Sequence, residues 1–174
     1  MIERVPAELA SGLAEDLSDL YAEVFAEPPY REGPEDVAGF VRRFRRQTRQ
    51  PGFALVISRT GDALTGMAYG YTMAPDEWWR HCDTPAPPEV AGCAKFAVYE
   101  LAVRREVRGR GVGRRLLNTL LADRLEQWAT LNVNPEAAAA QMYRRWGWQF
   151  IGWCRYPGRP VMEVMLLRLR PATP

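Results

Sequence analysis

From Leu9 to Ala26, Leu13, Leu17, Leu20 and Val24 recur at helical spacing, so one apolar stripe runs along an amphipathic helix, which Pro28-Pro29 then stops. A second helix starts near Pro34. It buries Val37, Phe40, Val41 and Phe44, leaves Arg42, Arg43, Arg45, Arg46 and Arg49 mostly on its wet side, and ends at Pro51-Gly52. Phe53 to Ser58 and Leu64 to Met73 read as strands joined across Thr60-Gly61-Asp62, an antiparallel hairpin. Pro75 to Gly92 carries four prolines and the adjacent Trp78 and Trp79, the composition of an insertion loop. Lys95 to Val103 is then a strand, Gly111 to Gln127 a helix with Val112, Leu116, Leu117, Leu120 and Leu121 on one face, and Trp128 to Val133 another strand. Strand, helix, strand is a βαβ unit, so these two strands run parallel. A helix over Glu136 to Trp146 and strands near Trp148 to Tyr156 and Val161 to Leu169 complete a mixed, mainly antiparallel pattern.

Composition changes this picture little. The 174 residues, 47% hydrophobic and 25% charged, fit one compact α/β domain over 1–174 and disfavour disordered, collagenous or coiled-coil chains. No apolar run approaches the roughly 18 residues that cross a bilayer, and the start Met1-Ile2-Glu3-Arg4 lacks a signal-peptide profile, so a cytoplasmic protein with no membrane partner is expected. Cys82, Cys93 and Cys154 form no Cys-x-x-Cys pair and His81 is the only histidine, which indicates neither a disulfide framework nor a metal site. His81 and Cys82 read as loop residues rather than catalysts, since nothing at triad spacing accompanies them. The net charge of +2 implies no nucleic-acid partner; Lys95 is the only lysine, and the arginine excess reads as the codon bias of a GC-rich bacterial genome.

The chemistry concentrates between Val98 and Leu121. A strand ending at Val103 runs through Arg104 to Val107 into Arg108-Gly109-Arg110-Gly111-Val112-Gly113 and directly into a helix. At a helix N-terminus the first turn leaves backbone N–H groups unpaired and the macrodipole positive, so main chain alone can hold a phosphate or pyrophosphate. Arg108 and Arg110 add charge. Arg114 and Arg115 in the first turn oppose the helix dipole, a cost that an anion would offset. A Walker loop is excluded because no Gly-Lys-Ser/Thr follows, and a Rossmann loop because only one βαβ unit is present.

Arg108-x-x-Gly111-x-Gly113 after Tyr99-Glu100-Leu101-Ala102-Val103 resembles the acetyl-CoA pyrophosphate loop of the GNAT N-acetyltransferases. Leu131-x-Val133 followed by Ala139, Tyr143 and Gly147-Trp148 resembles the family's second cofactor segment, with Trp148 where Phe is usual. Glu136 stands where the family often has Asn, and Asn134 is the nearest substitute. The resemblance implies a single-domain fold with a twisted sheet of six or seven strands, about four helices and parallel central strands that splay to admit the pantetheine arm. Residues 1–92 would then supply acceptor-site elements and 93–156 the acetyl-CoA-binding core. The cofactor residues it implies are Leu101, Ala102, Val103, Arg108, Gly109, Arg110, Gly111, Val112, Gly113, Arg114 and Asn134, with backbone groups of Leu101 and Val103 on the arm and the thioester carbonyl.

For acetyl transfer to an amine, Tyr143 is the candidate proton donor to the coenzyme sulfur, against a plain core role on the face of Ala139, Met142 and Trp146. Glu100 is the candidate base. Strand alternation puts it with Phe96, Val98 and Ala102, where desolvation raises its pKa; orienting the substrate or pairing with an arginine is the equal alternative. Tyr99, on the opposite face, is a weaker one. Tyr30, Trp78 and Trp79 could line the acceptor site or merely cover the core. The expected activity is acetyl-CoA-dependent N-acetylation of a small-molecule or peptide amine, with a non-catalytic acyl-CoA-binding regulatory module as the alternative and a homodimer left open.

Overall fold

The computed structural model describes residues 1–169; the last five residues of the expected 1–174 domain lie outside the described residues. Seven strands form one sheet in the order β1-β2-β3-β4-β5-β7-β6. They are β1 (Ile2–Val5), β2 (Ala54–Thr60), β3 (Ala63–Met73), β4 (Lys95–Val103), β5 (Trp128–Val133), β6 (Gln149–Cys154) and β7 (Met162–Arg168). Helices α1 (Ala7–Ala10), α2 (Ala14–Phe25), α3 (Pro34–Gln47), α4 (Val112–Leu121) and α5 (Ala138–Arg145) complete the described fold. The β1–β2, β2–β3, β5–β7 and β6–β7 pairs are antiparallel, and β4–β5 is parallel. The sheet is thus mixed and mainly antiparallel, as the βαβ reading requires. Its parallel ladder has three rungs, Phe96 with Ala129 to Val98 with Leu131, after which β4 runs on through Val103.

Three elements differ from the periodicity. The expected first helix is broken by a 3-10 turn at Ser11–Leu13, where Ser11 and Gly12 are poor helix formers. Helix α4 stops at Leu121, short of Gln127, because Ala122 is extended and Asp123 takes a positive φ of 59°. Strand β1, whose four residues carry no clear alternation, escaped the pattern and pairs with β2 from Ile2–Ser58 to Val5–Leu55.

Packing divides the chain into two compact units, one of Met1–Tyr71 with Tyr99–Ala122, the other of Thr72–Val98 with the chain from Asp123 onward. In the first, Leu17, Leu20, Phe40 and Phe44 are fully buried, each burial worth about 1.5–3 kcal/mol. Tyr21 stacks on Phe40 at 4.2 Å and Phe44 meets Tyr69 edge-on at 5.0 Å. Helix α4 approaches the sheet closely at Gly66, where an added Cβ would meet Leu116 Cδ1 at 2.9 Å and the Ala102 carbonyl at 3.0 Å. In the second unit β5, β7 and β6 carry α5, and Arg144 of α5 donates to the buried Glu163 carboxylate at 2.5 and 2.6 Å. Among the described residues no helix is long and apolar enough to cross a membrane.

Candidate functional site

After Val103 the chain turns through a 3-10 segment, Arg105–Val107, held by Val107 N–H to Arg104 O at 3.2 Å and Arg108 N–H to Arg105 O at 3.2 Å. Arg104 pins the turn to β3 through its own N–H to Thr65 O at 2.9 Å and its Nε to Leu64 O at 2.8 Å. Gly109 and Gly111 then take φ of 75° and 73°, conformations that glycine adopts without the Cβ penalty. Gly111 is the N-cap of α4, and Arg115 N–H closes a helical turn onto Gly111 O at 3.1 Å. Among the described residues, the N–H groups of Gly109, Arg110, Gly111, Val112 and Gly113 donate no hydrogen bond to the protein. Two left-handed glycines flank Arg110, and alternation of left-handed with right-handed backbone is the conformation in which successive N–H groups can form an anion-binding nest.

The two ends of α4 are treated differently. At its C-terminus Arg4 donates to the carbonyls of Thr119 and Ala122, placing a cation where the helix dipole is negative. At its N-terminus the first turn holds no acidic residue to meet the positive pole. An anion at this end would meet the positive pole of the helix. The arginines contribute less than their sequence positions imply. Arg108 donates from Nε to Val103 O at 2.8 Å and from both terminal nitrogens to Glu27 at 2.7 and 3.1 Å, so its guanidinium is engaged by the chain itself. This hydrogen-bonded cation holds Glu27 below the usual carboxylate range. Arg115 folds back on Arg110 O at 3.0 Å.

A second cluster in the same unit surrounds Glu100. Its side chain is 12% exposed and accepts from Arg43 Nη2 at 3.2 Å. Desolvation pushes its pKa up to about 7, against the pull of Arg43 and with a further push from Glu32. Tyr21 donates to Glu32, and its phenol is held well above the ordinary tyrosine range by burial and by the Glu100 and Glu32 carboxylates. Tyr69, fully buried, donates to Gln47 Oε1 at 2.9 Å. Arg43 departs from the expected wet face of α3: it turns inward, half-buried, while Arg42, Arg45, Arg46 and Arg49 stay exposed.

The remaining predicted residues separate by unit. Tyr99 stacks on Tyr71 at 4.5 Å with their hydroxyls 2.6 Å apart, and Tyr30 packs edge-on against Phe25 at 5.0 Å. Ala102 is buried in the core of this unit and Leu101 is half-buried. In the other unit Trp78 donates from its indole to Thr84 O at 3.1 Å and Trp79 to Thr130 Oγ1 at 2.8 Å. Asn134 is buried and spends its Oδ1 on Glu136 N–H at 2.9 Å, opening the turn into α5. Tyr143 is 6% exposed, edge-on to Trp146 at 6.0 Å and Trp148 at 5.7 Å. Sequence reasoning missed Tyr21, Glu32 and Arg43. The available signal was Arg43 itself, three residues after the buried Phe40 and one before the buried Phe44 on α3, close to the apolar stripe rather than opposite it.

A family model described as an acetyltransferase (GNAT) domain matches residues 52–150. No curated protein matches the sequence. Among solved structures, aminoglycoside 6'-acetyltransferase type Ii is 16% identical with a TM-score of 0.68, the alignment covering 99% of both chains. A protein of Corynebacterium glutamicum described as histone acetyltransferase HPA2 and related acetyltransferase is 20% identical, with a TM-score of 0.68 over 100% of this chain and 97% of that one. The PaiA N-acetyltransferase of Thermoplasma acidophilum, solved with coenzyme A, is 12% identical, with a TM-score of 0.65 over 97% of this chain and 99% of that one. The match over more than half its length, together with the shared fold, makes this chain a member of the GNAT acetyltransferase family.

Proposed function

We propose that the protein is an N-acetyltransferase that moves an acetyl group from acetyl-CoA directly to a primary amine of a small molecule or peptide. The observation that carries this reading is the run of N–H groups from Gly109 to Gly113 without an acceptor among the described residues, at the positive end of α4. Those donors hold the diphosphate. Backbone groups of Leu101 and Val103 hold the arm and stabilise the oxyanion of the tetrahedral intermediate, a contribution of about 3–4 kcal/mol for donors of this kind. Bound acetyl-CoA supplies the activated thioester. Asn134, with its side-chain oxygen already on Glu136 N–H, has its amide nitrogen left for the arm.

Glu100 receives the proton of the acceptor ammonium, directly or through water, since a carboxylate with a pKa of about 7 is matched to that task near neutral pH. Tyr143 returns a proton to the departing thiolate. Tyr30, Tyr99, Trp78 and Trp79 contribute to recognition of the acceptor. The neighbour that acts on an aminoglycoside and the two carboxyl groups of Glu32 and Glu100 both support an amine-bearing, cationic acceptor.

The test is thiol release from acetyl-CoA with a panel of polyamines, aminoglycosides and peptide amines. Turnover that falls in Glu100→Gln and Tyr143→Phe supports the assignment, the second change keeping the ring that packs on Trp146 and Trp148. Coenzyme binding without thiol release from any amine would instead make the chain a non-catalytic acyl-CoA-binding module.

A further inference from the structure

Two thiols face each other across the insertion loop and the edge strand β6, both within the second unit. Cys82 and Cys154 form an isolated antiparallel bridge. Asp83 N–H donates to Trp153 O at 2.8 Å, and Arg155 N–H to His81 O at 3.0 Å. Since the flanking residues make these bonds, Cys82 and Cys154 are a non-hydrogen-bonded pair, the closer antiparallel arrangement, whose Cα atoms in regular sheet lie about 4.5 Å apart. A disulfide spans Cα separations of roughly 4.4–6.8 Å.

The register of this strip is fixed on both sides. Trp153 N–H donates to Asp83 Oδ1 at 2.9 Å, and Thr84 covers Gly152 so closely that an added Cβ there would meet Thr84 Cβ at 2.7 Å. Both cysteines are free thiols; Cys82 is half-buried and therefore reachable, while Cys154 is fully buried. Tyr156, which accepts from Asn132 Nδ2 at 3.1 Å, lies beside Cys154.

We propose that Cys82 and Cys154 are a redox dithiol, oxidised by a low-molecular-weight disulfide of the glutathione class to a cross-strand disulfide that staples the insertion loop to β6. The Cys82 thiolate attacks one sulfur of the oxidant, breaking its S–S bond; a mixed disulfide forms and one small thiol leaves with the proton Cys82 gave up. Cys154 then loses its proton and attacks the Cys82 sulfur, expelling the second small thiol, which takes that proton. Two protein thiols are oxidised and one small disulfide is reduced to two thiols. Burial pushes the Cys154 thiol up to about 12, so the second attack is the slow step, and Cys82 is the entry point.

Stapling has a structural consequence. Trp78 donates to the Thr84 carbonyl at 3.1 Å, two residues beyond Cys82, so the bond fixes the strip that carries this indole's partner. The inference rests on thiol geometry alone and stands whether or not the chain transfers acetyl groups.

The full chain, reduced and then incubated with glutathione disulfide, is expected to fall from three titratable thiols to one, with Cys93 remaining. Its intact mass should drop by two hydrogens with no glutathione retained, a non-reducing digest should yield the Cys82–Cys154 cross-linked peptide, and dithiothreitol should reverse both. Hydrogen exchange at residues 81–84 should slow on oxidation in the native chain and not in Cys82→Ser, a variant that leaves the buried Cys154 in place. A stable glutathione adduct on Cys82 with Cys154 still reduced, a cross-link through Cys93, or unchanged exchange after cross-linking would overturn the proposal.

Discussion

The glycine loop before α4 and the Glu100 cluster lie in the same unit and are built in opposite ways. The loop is one unbroken stretch, Arg108 to Gly113, whose working groups are main-chain N–H donors set by two left-handed glycines and a helix start. The cluster draws Tyr21 from α2, Glu32 from the connection after it, Arg43 from α3 and Glu100 from β4, and its working groups are all side chains. One is governed by backbone shape and the helix field. The other is governed by burial and mutual charge. Substitutions should therefore be felt in the loop where they change the backbone, and in the cluster where they change a functional group.

Gly111→Asp is expected to show the largest effect. Asp is among the non-glycine residues that best tolerate the left-handed region, so the fold should survive while a carboxylate is added beside the donors proposed to hold the diphosphate. Coenzyme A affinity should fall by more than about 100-fold, with the melting temperature lowered by only a few degrees for a loss of about 1 kcal/mol. Calorimetric titration and thermal melting read the two separately. Unchanged affinity would mean that the amides from Gly109 to Gly113 do not hold the donor, and would remove the contrast between the two regions.

Glu100→Gln should leave coenzyme binding alone and lower kcat by about 100-fold, the usual loss for a general base. In the native enzyme kcat/KM for the acceptor should rise with pH through about 7, where Glu100 ionises, and this limb should vanish in the variant. Stability moves the other way. Because the folded pKa of about 7 lies above the ordinary value of 4.5, folding takes up a proton between them, so the contribution is complete below about pH 4.5 and lost as pH rises through 7. The native chain should lose up to about 3 kcal/mol relative to Glu100→Gln across that window, measured by urea denaturation at several pH values. A flat difference would show that Glu100 is ionised throughout.

The same contrast accounts for what could be read in advance. The loop is legible because its chemistry is local: glycine spacing, a preceding strand and a following helix all sit within a few residues. Glu100 is legible in half, since alternation along β4 announces a desolvated carboxylate but cannot name what lies across from it. Tyr21 and Arg43 reach Glu100 only through the packing of α2 and α3, and no spacing in the chain encodes that meeting. Arg43 is one residue before buried Phe44, and which arginines turn inward on α3 depends on the exact helix phase. The strip from His81 to Thr84 was hidden for the same reason: it pairs with Trp153 and Arg155, some seventy positions away, inside a loop without alternation.

Arg43→Met tests the cluster at one step removed. Arg43 touches Glu100 and acts through it as a positioning residue; its cation favours the ionised carboxylate, against burial. Its removal should move the acid limb of the acceptor kcat/KM profile upward by about one pH unit, with activity recovered at higher pH. Loss at every pH would make Arg43 a contact for substrate or structure rather than a tuner of Glu100. Rescue by Arg43→Lys, which restores a cation at the same place, should bring the limb back.

Arg108→Ala is expected to have the smallest effect, and it carries the sharpest test of how the loop works. The motif's leading arginine invites a reading as a phosphate ligand, yet its terminal nitrogens are on Glu27 and its Nε is on the Val103 carbonyl. Both members of the Glu27 pair are partly exposed, at 40% and 35%, so the pair itself contributes at most about 1 kcal/mol of stability. If main chain does the holding, coenzyme A affinity should change by less than about threefold, since what is lost is a surface ion pair and one hydrogen bond to the Val103 carbonyl. Affinity should then show the same weak dependence on salt in variant and native protein. A loss approaching that of Gly111→Asp would mean that the guanidinium leaves Glu27 for the diphosphate on binding, and Glu27→Gln, which frees it, would then bind the coenzyme more tightly than the native chain does.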